Sequence, residues 1–266
     1  FSGVSYEKIW SLYFYINRYW HLGIGNGSNI CFVTDYYDGT IVSLKKMRKY
    51  ISHDQKYISC TSNISCTKLA RYLFNNNISG YEFLYGIPGT IGGAIFMNAG
   101  AYDKEIMSYV FSIELIDENG KIYTLYNDDL RYSYRNSNLD NSSIIISIKL
   151  NNYQKKFDSE ILKELNIKRK LSQPTNQLSC GCIFKNPKGD HASRLIELAK
   201  LKGYRIGGIY ISNKHSNYFI NDGTGTFKDF IILIKYVKDK IYSRYNIKLE
   251  EEVILIRLII ILKYVF

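Results

Sequence analysis

The sequence predicts a two-domain chain of mixed strand and helix, and three observations predict it. Its 266 residues are 46% hydrophobic, enough for a sizeable core in each domain. Stretches that alternate like strands interleave with stretches of helical spacing. Residues 121–180 hold no glycine, and this shift in composition sets a domain boundary near residue 150. With aromatics at 15%, the chain is globular rather than disordered.

The elements follow in order. Residues 6–19 have the spacing of a helix. Residues 21–29 form a glycine loop, with strands after it at 30–34 and 40–44. Residues 48–62 alternate as strands, and 67–76 read as a helix. Strands at 109–116 and 121–125 flank Asp117-Glu-Asn-Gly120, a hairpin signal. Residues 155–171 are helical by spacing. The clearest helix follows Gly223-Thr-Gly-Thr226, with Thr226 as its N-cap and Phe227, Phe230, Ile231, Ile234, Ile241 and Tyr245 as its apolar stripe. A buried final strand leads into the apolar tail 259–266. That end is shorter than the roughly 20 residues a spanning helix needs, so no membrane insertion is expected.

Charge and cysteines narrow the class. The net charge of +11 reflects a lysine-rich surface, and functionally it favours anionic ligands. No long Arg/Lys block and no nucleic-acid-binding signature appears, which points to small phosphorylated ligands and away from nucleic acid. Five cysteines (Cys31, Cys60, Cys66, Cys180, Cys182) without a small-scaffold pattern read as reduced thiols in a cytoplasm. No charged segment followed by an apolar run opens the chain, so no signal peptide is read. Cys180 and Cys182 make a poor metal pair without a second pair or a histidine partner, and no metal is expected.

Two glycine loops carry the functional question. Gly23-Ile-Gly-Asn-Gly27 precedes a strand rather than a helix, which excludes a dinucleotide fingerprint of the Rossmann kind. The phosphate loop ending in Gly-Lys-Ser/Thr is also absent. What remains is a run of amides at Gly25, Gly27, Ser28 and Asn29 suited to an anion. The second loop reads Gly86-Ile-Pro-Gly-Thr-Ile-Gly-Gly-Ala-Ile-Phe-Met-Asn-Ala-Gly-Ala-Tyr102. Pro88 stiffens it, Gly92-Gly93 admit close approach, and Asn98 is placed to bond a flat heterocycle. On residues alone, a tight packing corner and a ligand surface explain it equally.

This second loop resembles the flavin-binding signature of the UDP-N-acetylenolpyruvoylglucosamine reductase (MurB) family, and the likeness continues in order over roughly residues 20–257. Gly25-Asn-Gly-Ser-Asn29 is similar to the family's pyrophosphate loop, and Tyr132-Ser-Tyr-Arg-Asn-Ser137 to its Tyr-Arg-X-Ser segment. Gln173-Pro174, Gly181-Cys-Ile-Phe-Lys-Asn-Pro187, Lys214-His215 through Asn221, and Leu249-Glu-Glu-Glu-Val253 complete the series. The resemblance implies an α+β fold. An FAD-binding domain of the vanillyl-alcohol-oxidase type, in two lobes of about 1–46 and 47–150, would precede an α+β substrate domain at 151–258. The lack of an extra segment with a catalytic tyrosine between Arg135 and Gln173 resembles the family's shorter type.

The resemblance also implies the activity and the site. The family uses NADPH and non-covalent FAD to reduce a UDP-sugar enolpyruvyl ether in peptidoglycan precursor synthesis. Cofactor contacts fall on Gly25, Asn26, Gly27, Ser28 and Asn29, and on Gly86, Ile87, Pro88, Gly89, Thr90, Gly92, Gly93, Asn98, Gly100 and Ala101. Arg135 becomes the cation at the substrate carboxylate and Glu252 the acid that polarises the enol. Cys182 stands where many relatives have a proton-donating serine. A thiol with a pKa of about 8.5 is protonated at neutral pH and can take that role. Tyr134, Lys185, Asn186, Lys214, His215 and Asn217 are the implied substrate contacts, with Lys185 aimed at the UDP phosphates. The expected protein is a cytoplasmic monomer. The family's N-terminal Thr-X-Phe-Arg-X-Gly-Gly-like segment has no match in Phe1-Ser-Gly-Val4, so the expectation is either an N-terminally truncated fragment or a diverging copy with weakened FAD affinity. The runner-up readings are an inactive flavin-binding remnant and another FAD-dependent oxidoreductase of the same fold.

Overall fold

Alternation at 57–61, 110–116 and 144–151 becomes the centre of one antiparallel sheet. The computed structural model describes residues 21–34, 40–140, 142–153 and 159–256. The helix expected at 6–19 and the tail 259–266 lie outside the described residues. Packing divides the chain into two units, one drawing on Phe1–Asn26 and Gly39–Arg169, the other on Gly27–Asp38 and Lys170–Phe266. The composition boundary near residue 150 therefore falls inside the first unit, because most of the helix Ser159–Ser172 packs with it.

In the first unit, five strands run in the order Ile51–His53, Tyr57–Thr61, Ile144–Asn151, Val110–Ile116, Ile122–Tyr126, each pair antiparallel. Ile148 stands opposite Cys60 on one side and Ile113 on the other. With period 2, Ile58, Cys60, Ile113, Leu115, Ile148 and Leu150 share one buried face. The helix Cys66–Asn75 covers this core with Leu69 and Leu73. It starts there because Ser65 accepts from the Lys68 amide at 3.2 Å. The expected hairpin forms as well. Asp117 Oδ1 accepts from the amides of Asn119 and Lys121 at 2.9 and 2.8 Å, and Ile116 pairs with Ile122. A separate parallel pair joins His21–Ile24 to Thr40–Ser43.

In the second unit, three short antiparallel strands, Arg205–Ile206, Ile209–Ile211 and Phe219–Asn221, contribute Ile209, Ile211 and Phe219 to a core shared with the helix Phe227–Tyr245. Thr226 and Asp229 form a capping box at its start. The buried face is Phe230, Leu233, Ile234, Val237 and Ile241. The expected stripe was offset: Phe227 and Ile231 stand half-buried at its edge, since 3.6-residue winding brings Leu233 and Val237 into line with Ile234 and Ile241. Ile254–Ile256 pairs in parallel with Ile30–Phe32, which joins residues 27–38 to this unit. Among the described residues no helix is long and apolar enough to cross a membrane.

Candidate active site

The second glycine loop opens with a turn, continues as a short helix and ends in a hairpin. Ile87 N–H donates to the carbonyl of Leu84 at 3.1 Å, and Pro88 follows. The Gly89 carbonyl accepts from Cys66 N–H at 3.2 Å, which ties the turn to the core helix. Thr90 caps the helix Ile91–Phe96, its hydroxyl accepting from Gly93 N–H at 3.3 Å. Gly25 runs against this cap, where a Cβ would lie 2.5 Å from Thr90 Oγ1. The first glycine loop thus touches the second.

The paired glycines do different work. Gly92 donates to Ser62 O at 2.8 Å, and a Cβ on it would meet Ser62 Cβ at 2.8 Å, so its bareness serves packing within the protein. Beside Gly93 a Cβ would have only Thr90 Oγ1 within 4 Å, at 3.6 Å. That side is open. Gly86 lies against the aliphatic stem of Arg169, a neighbour far along the chain.

Asn98 departs from expectation. It is fully buried, and its amide is engaged by protein: Nδ2 donates to Glu105 Oε2 and to Ser133 O, both at 2.9 Å, while Oδ1 accepts from Met107 N–H at 3.2 Å. A polar side chain buried this deeply needs such partners, and here they are the Glu105 carboxylate and the backbone of Ser133 and Met107. Gly100 and Ala101 form one side of a tight hairpin, opposite Glu105 and Lys104.

Arg135 sits near Asn98, at the third position of a turn. Ser133 and Asn136 exchange backbone bonds of 2.8 and 3.0 Å around it. Its φ of +55° is left-handed, at a cost of roughly 1–2 kcal/mol for a residue with a Cβ. Its guanidinium donates from Nη2 to Gly100 O at 3.0 Å and lies 4.8 Å from the Tyr134 ring centroid. Tyr134 itself is exposed.

In the second unit, the segment after Gly181 is clamped on both sides. Cys182 bridges to Tyr218. Ile183 donates to Asn217 O at 2.9 Å and accepts from Glu252 N–H at 2.8 Å, and Lys185 N–H donates to Glu250 O at 2.9 Å. Asn217, buried, spends its amide on Phe184: Oδ1 accepts from the Phe184 N–H at 3.0 Å and Nδ2 donates to its carbonyl at 2.8 Å. Asn186 Oδ1 accepts from Ala192 N–H at 3.1 Å, at the start of the helix Ala192–Leu198. The remaining half of the first glycine loop belongs here too. Asn29 Nδ2 donates to Glu252 O at 3.0 Å, and Ser28 O lies 4.0 Å from the place of a Cβ on Gly181.

The three consecutive glutamates separate by partner. Glu250, exposed, pairs with Lys185 at 3.7 Å, and Glu251 with Lys238 at 3.0 Å. Glu252 is the one whose backbone joins Ile183 and Asn29. Lys214 reaches the carbonyl of Lys170. His215 accepts at Nδ1 from Asn217 N–H at 3.3 Å, with Tyr218 edge-on at 4.8 Å; burial, with the Lys202 charge adding to it, pulls its pKa down. Burial pushes the Cys180 thiol up to about 12. No cluster of three metal-ligating side chains occurs among the described residues.

These features suit a flat, phosphate-bearing cofactor such as FAD. In the first unit Asn26 is exposed and the Gly93 face is open; in the second, Gly27 is exposed, with nothing within 4 Å of the place a Cβ would take on it.

Comparison with known proteins agrees. Residues 173–256 match the profile described as UDP-N-acetylenolpyruvoylglucosamine reductase, C-terminal domain, and residues 17–126 that of an FAD binding domain. A UDP-N-acetylenolpyruvoylglucosamine reductase from Fusobacterium nucleatum subsp. nucleatum is 36% identical over 234 residues, 88% of this chain and 83% of that protein. One from Chlamydia felis is 38% identical over 242 residues, 91% of this chain and 81% of that protein. The crystal structure of UDP-N-acetylenolpyruvylglucosamine reductase (MurB) from Thermus caldophilus superposes with a TM-score of 0.75 at 28% identity, covering 93% of this chain and 89% of that one.

Proposed function

The chain belongs to the UDP-N-acetylenolpyruvoylglucosamine reductase family, and on that premise we propose how its own residues serve the family's reaction. That reaction is the flavin-dependent reduction of UDP-N-acetylglucosamine enolpyruvate to UDP-N-acetylmuramate with NADPH, a step of peptidoglycan precursor synthesis. FAD, held by these residues when bound, would supply the hydride-transfer chemistry of the reaction.

The residues supply position, charge and a proton. Gly25–Asn29 and the open face at Gly93 hold the cofactor. The Arg135 fork binds the substrate carboxylate and opposes the negative charge that grows on it as the enolate forms. Cys182 gives its proton to the carbon beside that carboxylate, and the thiolate left behind regains a proton from water. Glu252 polarises the enol. Lys185 meets the UDP phosphates as a point charge, while Asn217 and His215 keep the Cys182 segment in place. The protein works in the cytoplasm as a monomer, with the UDP-sugar and NADPH as its small-molecule partners.

One observation carries this assignment of roles. The segments bearing Cys182, Glu252 and Asn29 are bonded directly to one another. The visible spectrum of the purified protein tests the proposal. A flavin band that bleaches with NADPH and returns with the enolpyruvyl sugar is expected. A protein that stays colourless after FAD is added would sink it.

A further inference from the structure

Of the eight non-glycine residues with left-handed φ among the described residues, four lie in the turns that Arg135 and its partners join: Asn98, Tyr102, Asp103 and Arg135 itself. Backbone held in sparsely populated regions persists only where its surroundings over-determine it. Here the surroundings can be named. Tyr102 and Asp103, at φ +56° and +60°, make a two-residue turn that places Gly100 opposite Glu105. Arg135 is tethered to both of those opposed residues. Its Nη2 donates to Gly100 O at 3.0 Å, and its Nη1 lies 3.7 Å from Glu105 Oε1. The other oxygen of Glu105 accepts from buried Asn98, whose amide also holds Ser133 O at the base of the Arg135 turn.

We infer that Glu105 is a positioning residue for the substrate-binding arginine, acting through the chain Asn98–Glu105–Arg135. The inference rests on the reading of Arg135 given above. The pair is partly shielded, with 16% of the Arg135 side chain and 32% of Glu105 exposed, so its attraction is less screened than that of a fully exposed pair. An arginine held by a carbonyl and a carboxylate keeps its planar fork in one orientation, the requirement for bidentate capture of a carboxylate. Without the carboxylate, a long side chain samples many rotamers and the substrate must order it on arrival. Gly100 fits the same design. A Cβ there would lie 2.1 Å from Lys104 O, so only glycine lets the hairpin close and present both tethers.

Glu105→Gln keeps the shape and the acceptor for Asn98 but removes the charge that faces Arg135. In the FAD-loaded protein it is expected to leave flavin content, melting temperature and reduction by NADPH near wild type. Binding of the enolpyruvyl substrate to the oxidised protein, followed by perturbation of the flavin spectrum, should weaken about tenfold, and flavin reoxidation by that substrate should slow in parallel. Glu105→Asp, which keeps the charge, should recover part of the loss. In an Arg135→Ala background, Glu105→Gln should add nothing further. If Arg135→Ala slows reoxidation while Glu105→Gln binds substrate like wild type, the inference fails and the reading of Arg135 stands. If Arg135→Ala has no effect on either measurement, the reading of Arg135 fails first. Loss of flavin together with NADPH reduction in Glu105→Gln, or additive losses in the double variant, would overturn the positioning role in favour of a purely structural one.

Discussion

Asn29 donates its side-chain amide to the backbone carbonyl of Glu252 at 3.0 Å, a bond that spans 223 residues of chain. Ile254 N–H donates back to the Asn29 carbonyl at 3.0 Å, so the contact is closed from both sides. Within the second unit, the Asn29 end of the loop proposed for the pyrophosphate is therefore bonded to the backbone of the glutamate proposed for the enol.

The two adjacent glycines of the flavin loop give a paired test. Gly93→Val adds atoms on a side where the protein leaves room, the nearest neighbour of a Cβ being 3.6 Å away. The variant should fold without a helix-propensity penalty, since glycine is a poorer helix former than valine, yet lose FAD. Gly92→Ala drives a Cβ to 2.8 Å from Ser62 and should lower the melting temperature even without FAD. Flavin content and apo-protein melting curves distinguish the two. Wild-type flavin content in Gly93→Val would remove this loop from the cofactor site.

Lys185→Ala tests the phosphate contact. Its partner Glu250 is 78% exposed at 3.7 Å, so the pair contributes little to stability and its loss should not disturb the fold. A charge-assisted contact to the UDP phosphates, at about 1.5–3 kcal/mol, predicts a rise in substrate KM of roughly 10- to 100-fold with flavin content unchanged. An unaltered KM would leave Lys185 a surface residue.

His215 predicts an acid limb in stability. Burial lowers its pKa in the folded protein, and its Nδ1 must stay unprotonated to accept from Asn217 N–H. In the unfolded chain the ring protonates at about pH 6.5. Below that pH the unfolded state binds a proton that the folded state refuses, so stability present above pH 6.5 falls as pH drops toward the folded value. Melting temperatures between pH 7.5 and 5.5 should decline less in His215→Gln than in wild type. Parallel curves would show that His215 titrates alike in both states.

Legibility in the sequence followed the range of each signal. The hairpin at Asp117–Gly120, the Thr226 cap and the strands at 57–61 and 110–116 are local chemistry and formed where expected, whereas the strands Ile144–Asn151 and His21–Ile24 were not anticipated. The membership of residues 27–38 in the second unit depends on Ile30–Phe32 pairing with Ile254–Ile256, and a parallel pairing over that separation leaves no local trace. Glu250, Glu251 and Glu252 are chemically identical, and only their partners tell them apart. Glu105 had no signature at all, because the arginine it serves lies thirty residues on. Asn98 was visible as a polar residue in the flavin loop, but where its amide points is decided by Glu105, Ser133 and Met107.

The proton itself provides the last test. Cys182 is half-buried and held by its bridge to Tyr218, next to the Ile183 carbonyl that accepts from Glu252. If its thiol is the donor, it acts only after hydride has reached the substrate, so the two half-reactions separate. Cys182→Ala should leave flavin reduction by NADPH near wild type, because no substrate carbon is protonated in that step. Reoxidation by the enolpyruvyl sugar should slow by about 10²- to 10⁴-fold, the range for losing a positioned acid. Cys182→Ser should restore much of the rate, since a hydroxyl placed there can donate a proton in the same step. A fold defect cannot mimic this pattern, because it would depress both half-reactions and flavin content together. Stopped-flow absorbance of the flavin follows both steps in one instrument. Reoxidation of Cys182→Ala at the wild-type rate would move the proton to another donor, with Glu252 the next to substitute.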